Sequence, residues 1–352
     1  MNILYGVPGE GMGHATRSKV VIDFLLKEGH NVHAVSCDRA YQFLVKSYPG
    51  RVHEIKGFHF AYKDSEISKM RTFLLNFKTA PKNLLFNFAE YLKLKMDFHP
   101  DLVITDFESF AYYFAKLHRI PIISIDNMQV MDRCKLDIKI SKEEKGNFRM
   151  AKAIVKAKVP GCDHYLISSF FNAAIRKKNT SIVPLIVRDG ILNAKPSRQN
   201  HILVYQTTST FAEINKIFQQ LPDITFYVYG FNKDELCGNV IFKSFSEENF
   251  VNDLAGASAV IANGGYSFIS EAIYLKKPIY SFPIKNQFEQ LMNASYIDKM
   301  GYGKYSEELD INSLKDFLKH LDTFKENLSK YKQDGNKELF EVLKEKIKEV
   351  CS

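Results

Sequence analysis

The chain has 352 residues, 45% apolar and 25% charged, which argues against disorder and favours two domains over one core. Its five cysteines, Cys37, Cys134, Cys162, Cys237 and Cys351, are scattered and form no CxxC pair, which speaks against a disulfide framework or a zinc site and fits a reducing cytoplasm. The net charge of +8 is uneven, with 31 Lys and Arg against 19 Asp and Glu in residues 1–200 and 17 against 21 in residues 201–352, so an anionic partner fits the first half.

The opening reads as a βαβ unit: strand Asn2–Val7, a glycine-rich turn, a helix from about Ala15 to Glu28 stopped by Gly29, then strand Asn31–Ser36. No charged segment followed by a long apolar stretch precedes it, so no secretory signal is expected, and no apolar run is long enough to span a membrane. The turn Gly9-Glu10-Gly11-Met12-Gly13-His14 is spaced GxGxG, not GxGxxG, and no acidic residue ends the second strand. A dinucleotide site is therefore not expected.

Residues 69–98 interleave lysines with Phe, Leu, Met and Tyr. Two amphipathic helices packed on a sheet would show this pattern, and so would an interfacial segment meeting an anionic membrane surface. No nucleic-acid module is recognisable, and no nucleic acid is expected as a partner. Strands Leu102–Thr105 and Ile122–Asp126 then flank a helical stretch Phe107–Leu117. Asp106, Glu108 and Asp126 follow or end these strands, where an α/β sheet opens its ligand crevice.

Pro184 to Asn200 is rich in Pro, Gly and polar residues, and the chain divides on this reading into 1–185, a linker at 186–200 and 201–352. The second half repeats the alternation with strands Ile202–Tyr205, Thr225–Tyr229, Val240–Phe242, Ala259–Ala262 and Pro278–Phe282. An amphipathic helical segment, Leu314 to Glu349, closes it and is a candidate to cross back onto the first domain. The fold class is α/β, two Rossmann-like domains facing across a cleft.

Between the fourth of these strands and a helix lies Asn263-Gly264-Gly265-Tyr266-Ser267, with Glu271 one turn further on. Two glycines allow close approach of the backbone, and the free N–H groups of a helix N-terminus suit a diphosphate. Ser267 can add a hydroxyl donor, and Glu271 can accept from a ribose diol. An earlier turn, Gln206-Thr207-Thr208-Ser209-Thr210, can hold phosphate or simply cap a helix through Ser209. Downstream follow Lys277-Pro278, Asn286-Gln287-Phe288-Glu289-Gln290, Asn293-Ala294 and Gly301-Tyr302-Gly303.

In this order the motifs resemble the donor site of GT-B nucleotide-sugar glycosyltransferases, MurG-like members of glycosyltransferase family 28 in particular. The resemblance implies a nucleoside diphosphate sugar, with UDP the usual carrier. Its diphosphate would lie on Gly264, Gly265, Tyr266 and Ser267 with help from Thr208 and Ser209. The ribose would lie on Glu271, the base beside Phe245, and the sugar hydroxyls on Gln287, Glu289 and Gln290. It also matches Gly11, Gly13 and His14 to a glycine loop whose histidine faces the acceptor. His14 is then the expected base, kept neutral by the helix N-terminus and oriented by Asp106, with Asp126 a second candidate and Arg17 steadying the loop or an anionic group. Inversion and a mechanism without metal or cofactor follow from the same kinship, although Asp106-Phe107-Glu108 is spaced like a DxD metal motif. The expected enzyme is a hexosyltransferase acting on a hydroxyl acceptor, lipid or cell-envelope glycan, in the cytoplasm or peripherally on the inner face of the membrane. A nucleotide-sugar hydrolase of the same fold and a non-catalytic sugar-nucleotide-binding protein are the alternatives.

Overall fold

Continuous runs of Val, Ile and Leu flanked by Gly, Pro and Asp form central parallel strands, buried on both faces by the intervening helices. The computed structural model describes residues 1–9, 11–57, 62–63, 66–67, 69–195, 200–206 and 211–352, and between 62 and 81 it describes the backbone alone. In chain order the first half contains β1 (Asn2–Gly6), α1 (Met12–Lys27), β2 (Asn31–Ser36), α2 (Asp38–Ser47), β3 (Val52–Glu54), β4 (Tyr62–Lys63), β5 (Glu66–Ile67) and α3 (Lys69–Asp97). It continues with β6 (Leu102–Thr105), α4 (Ser109–His118), β7 (Ile122–Asp126), α5 (Val130–Arg133), β8 (Cys134–Lys135), α6 (Lys145–Lys158), β9 (His164–Ser168), β10 (Ala174–Ile175), β11 (Thr180–Val183) and α7 (Asp189–Leu192).

The second half runs β12 (His201–Tyr205), α8 (Phe211–Phe218), β13 (Thr225–Tyr229), β14 (Glu235–Cys237), β15 (Val240–Phe242), α9 (Glu247–Gly256), β16 (Ala259–Ala262) and α10 (Tyr266–Tyr274). After these come β17 (Ile279–Ser281), α11 (Phe288–Lys299), β18 (Gly303–Tyr305), α12 (Ile311–Lys319), α13 (Leu321–Lys330) and α14 (Lys337–Cys351).

Two seven-stranded sheets result, ordered β11-β9-β7-β6-β1-β2-β3 and β14-β15-β13-β12-β16-β17-β18. All pairings are parallel except that of β14 with β15. In each sheet the order reverses beside the first strand of its half, so β1 and β6, and β12 and β16, each open a crevice at their C-terminal ends. These are the two βα turns singled out above, and the structure sets them against each other. This is the GT-B arrangement.

The apolar core is continuous across the halves: Phe171 stacks on Tyr296 at 3.5 Å between ring centroids, and the backbone N–H of Asp137 donates to the Tyr296 hydroxyl at 2.9 Å. The final helix does not stay with the second sheet. Leu339, Leu343 and Ile347 of α14 are buried among Ile3, Ile104, Ile123 and Leu166 of the first sheet, and Phe340 stacks on Phe24 of α1 at 4.0 Å. The long apolar and basic segment is one helix, α3, instead of the two expected from its pattern. Of its described side chains, Leu84, Leu85, Phe88, Leu92 and Met96 form an exposed stripe, since spacings of three and four keep them on one face. No helix among the described residues is long and apolar enough to cross a membrane.

Candidate active site

The glycine loop owes its shape to close contacts. A Cβ on Gly9 would lie 2.3 Å from the Cys37 sulfur, and one on Gly13 would lie 2.6 Å from the Ser267 hydroxyl oxygen across the cleft. Gly11 caps α1 with φ 78°, in the region that favours glycine. Helix α1 therefore starts at Met12, earlier than the apolar period indicates, and His14 lies in its first turn with about a fifth of its side chain exposed.

Asp106 follows β6 and is 1% exposed. Its neighbour Phe107 has φ 62°, a left-handed turn that costs about 1 kcal/mol for a non-glycine residue. That turn separates two acids that the sequence sets side by side. Asp106 faces α1, whereas Glu108 caps α4 by accepting from the backbone N–H groups of Phe110 and Ala111 at 2.8 and 2.7 Å. The DxD-like spacing thus does not bring two carboxylates to one point.

His14 Nδ1 is 3.1 Å from Asp106 Oδ1. Arg17, 6% exposed, reaches the same carboxylate with two nitrogens, Nε to Oδ2 at 2.7 Å and Nη2 to Oδ1 at 2.5 Å, and the Ser18 hydroxyl donates to Oδ2 at 3.1 Å. Burial opposes ionisation of Asp106, but the Arg17 guanidinium holds it well below the ordinary carboxylate range. Arg17 also donates through Nη1 to Asn127 Oδ1 at 2.7 Å, and Asn127 Nδ2 donates to Glu289 Oε1 at 2.7 Å. Side chains of both halves are thereby linked from His14 to Glu289. Asn127 was not expected in the site from sequence, and Arg17 was expected only to steady the glycine loop or an anionic group, not to hold Asp106. An arginine inside a helix pattern gives no sign that it is buried, and only the meeting of α1, β6 and β7 makes it so.

Asp126 turns away from this group. It accepts from the Ser124 hydroxyl and from the Gln129 backbone N–H, both at 2.8 Å, and burial with nearby Asp106 pushes it up to about 6.

On the opposite wall, Gly264 has φ 102°, and a Cβ there would lie 2.9 Å from the Gln290 carbonyl oxygen. Asn293 donates to the Gly264 carbonyl at 3.0 Å. Gly265, the cap of α10, has φ −63° and open space where a side chain would stand. Ser267 is half-buried beside Gly13, so the N-termini of α1 and α10 converge. The Tyr266 side chain is turned into the contact between the halves, its hydroxyl 2.9 Å from that of Ser168, which leaves its backbone N–H as the group at the turn.

Glu271 is buried and engaged by Arg188, Nε to Oε1 at 2.6 Å and Nη2 to Oε2 at 3.1 Å, while Arg188 Nη1 donates to Glu247 at 2.8 Å. A ribose would have to use the remaining lone pairs. Gln287 Oε1 is buried without a partner among the described residues, whereas Gln290 Oε1 accepts from the Ile284 backbone N–H at 3.0 Å. The Phe245 ring is 58% exposed at the exit of β15. Gly303 packs at the backbone of Ile279, where a Cβ would lie 1.8 Å from its carbonyl oxygen, so this glycine serves the β17–β18 pairing. Thr208 and Ser209 lie outside the described residues.

A family profile described as glycosyl transferase family 1 matches residues 1–322. An uncharacterised glycosyltransferase of Methanosarcina mazei is 26% identical over 335 residues, covering 86% of this chain and 85% of that protein. A UDP-N-acetylglucosamine–N-acetylmuramyl-(pentapeptide) pyrophosphoryl-undecaprenol N-acetylglucosamine transferase of Bacillus cereus is 23% identical over 141 residues, 34% of this chain and 40% of that one, so kinship with the MurG-like type is carried by a part only. The calicheamicin glycosyltransferase CalG4 superposes with a TM-score of 0.67 at 16% identity over 99% of this chain and 98% of its own.

Proposed function

The chain belongs to glycosyl transferase family 1 and is a glycosyltransferase, and on that footing we propose that it moves a sugar from a nucleoside diphosphate, UDP above others, to a hydroxyl acceptor by one inverting displacement without a metal. The observation that carries this reading is the convergence of the α1 and α10 N-termini, with His14 and its buried Asp106 on one side and the Gly264-to-Ser267 turn on the other.

The chemistry follows from that juxtaposition. The acceptor hydroxyl gives its proton to His14 as its oxygen attacks the anomeric carbon, and the bond to the diphosphate breaks on the opposite side. Asp106 stabilises the imidazolium, while N–H groups and the dipole of α10 receive the charge on the departing diphosphate, the task a metal performs elsewhere. Exposed Phe245 suits the base, Glu271 the ribose, and Gln287 and Glu289 the sugar hydroxyls. Gln290 contributes chiefly by fixing the loop at Ile284. An open pocket of about 570 Å³ beside the glycine loop, lined by Met12, Asp38, Arg39, Gln42, Phe43 and Lys46, offers the acceptor an apolar floor and two cations.

The exposed stripe of α3, with Lys82, Lys93 and Lys95 on the same helix, suits an anionic membrane surface on the cytoplasmic side and a lipid-borne acceptor. Loss of co-sedimentation with anionic vesicles on Phe88→Ser is the expected sign, and unchanged sedimentation refutes it.

A thermal-shift series of nucleoside diphosphates tests the central reading, because a ligand that binds only the folded chain raises its midpoint. UDP is expected to give the largest shift. If no nucleoside diphosphate stabilises the protein, the reading fails. Sugar release that no acceptor accelerates identifies a hydrolase, and binding without turnover identifies a binding protein.

A further inference from the structure

His14 Nδ1 has two neighbours that make opposite demands. Asp106 Oδ1, at 3.1 Å, can only accept a hydrogen bond, and Arg17 Nη2, at 2.8 Å, can only donate one. A neutral imidazole nitrogen either carries a proton or offers a lone pair, so one contact is a hydrogen bond and the other is not.

Geometry decides between them. The guanidinium is pinned in its plane, because Nε and Nη2 both hold the Asp106 carboxylate and Nη1 holds Asn127. The second proton on Nη2 has one direction left, toward His14 Nδ1. Placing a proton on Nδ1 would set two N–H groups head to head at 2.8 Å. Asp106, meanwhile, is already satisfied by both Arg17 nitrogens and by Ser18, and gains little from a further donor.

We infer that Arg17 holds His14, in the substrate-free protein, as the tautomer with its proton on Nε2. This deepens the reading of His14 as the base and rests on it. In that state Nε2, the nitrogen that neither Asp106 nor Arg17 holds, is a donor and cannot take an acceptor's proton. Arg17 is a positioning residue, and base catalysis requires it to release Nδ1 so that the imidazole proton can move to the Asp106 side. The far end of Arg17 is tied through Asn127 to Glu289, so a donor sugar that takes Glu289 loosens the Asn127 end of that restraint while the pair with Asp106 stays in place.

Nitrogen NMR of the full chain labelled with 15N-histidine, without ligand and at mildly alkaline pH, reads the proton position directly. His14 is identified by the signals that vanish in His14→Gln. Expected is a protonated, pyrrole-like Nε2 and a bare, pyridine-like Nδ1, with Arg17→Met moving the proton to Nδ1. A wild-type spectrum with Nδ1 protonated in half or more of the molecules overturns the inference, as does an Arg17→Met spectrum equal to wild type. The wild-type spectrum decides even if Arg17→Met does not fold. Failure to bind any nucleoside diphosphate would instead sink the reading of the cleft and leave the tautomer result standing.

Discussion

The two glycines of the α10 turn are adjacent, yet alanine at each should fail for different reasons. At Gly264 the backbone has φ 102° and the added methyl would lie 2.9 Å from a carbonyl oxygen. A sparsely populated φ costs about 1–3 kcal/mol, and the clash adds roughly 1 more. A destabilisation of about 2–4 kcal/mol corresponds to a fall in Tm of roughly 4–16 °C for a domain of this size. At Gly265 the backbone is at φ −63° and the methyl meets nothing within 4 Å, so stability should change by less than about 1 kcal/mol. That methyl would stand in the space assigned to the diphosphate. Loss of one charge-assisted contact, about 1.5–3 kcal/mol, weakens binding roughly 10- to 150-fold. Calorimetric unfolding and titration with the nucleoside diphosphate that best stabilises the wild type measure both effects. Wild-type affinity in Gly265→Ala would refute the assignment of the diphosphate to this turn, and an unchanged Tm in Gly264→Ala would refute the strain argument.

His14→Ala is expected to lower kcat by about 10²–10⁴ while leaving nucleotide affinity within about twofold, and a variant that keeps wild-type kcat excludes it as the base. Phe245→Ala should weaken nucleotide binding by about 1 kcal/mol or more without moving Tm, because the ring is mostly exposed, and equal titration curves would remove it from the base site. Asp126, pushed up to about 6, keeps a proton in the folded chain that the unfolded chain releases near pH 4. Its contribution is therefore complete below pH 4 and is lost as pH rises through about 6, so Asp126→Asn should flatten that slope and gain on the order of 2–3 kcal/mol relative to wild type at pH 7. Urea midpoints across the window check this, and parallel pH curves for the two proteins would show that Asp126 is not the group responsible.

Strands enclosed by helices were readable because each is an unbroken apolar run, and β2, β6, β7, β13, β15 and β16 match their expected bounds residue for residue. Edge strands were not: Val52–Glu54 is short and half-buried, and Thr180–Val183 is half polar, so neither stands out from a loop. The nearness of His14 to Asp106 was readable, since both lie where parallel strands and helices must open a crevice. What surrounds them was not. Arg17 gathers partners from three elements, and Arg188 reaches Glu271 from the segment between the sheets, neither of which is written in local pattern. Glu108 and Tyr266 show the converse, side chains adjacent to the cleft in sequence that the backbone turns to capping and packing.

The return of α14 to the first sheet has a consequence for synthesis and dissection. Leu339, Leu343 and Ile347 fill the surface over Ile104, Ile123 and Leu166, so the first half emerges from the ribosome with that apolar surface bare until Lys337–Cys351 has been made. A cut placed in the linker would leave each fragment with part of the other's core: the first without its last helix, the second carrying that helix with nothing to cover it. Co-expression of both fragments, not either alone, is the arrangement that lets such a nicked protein fold.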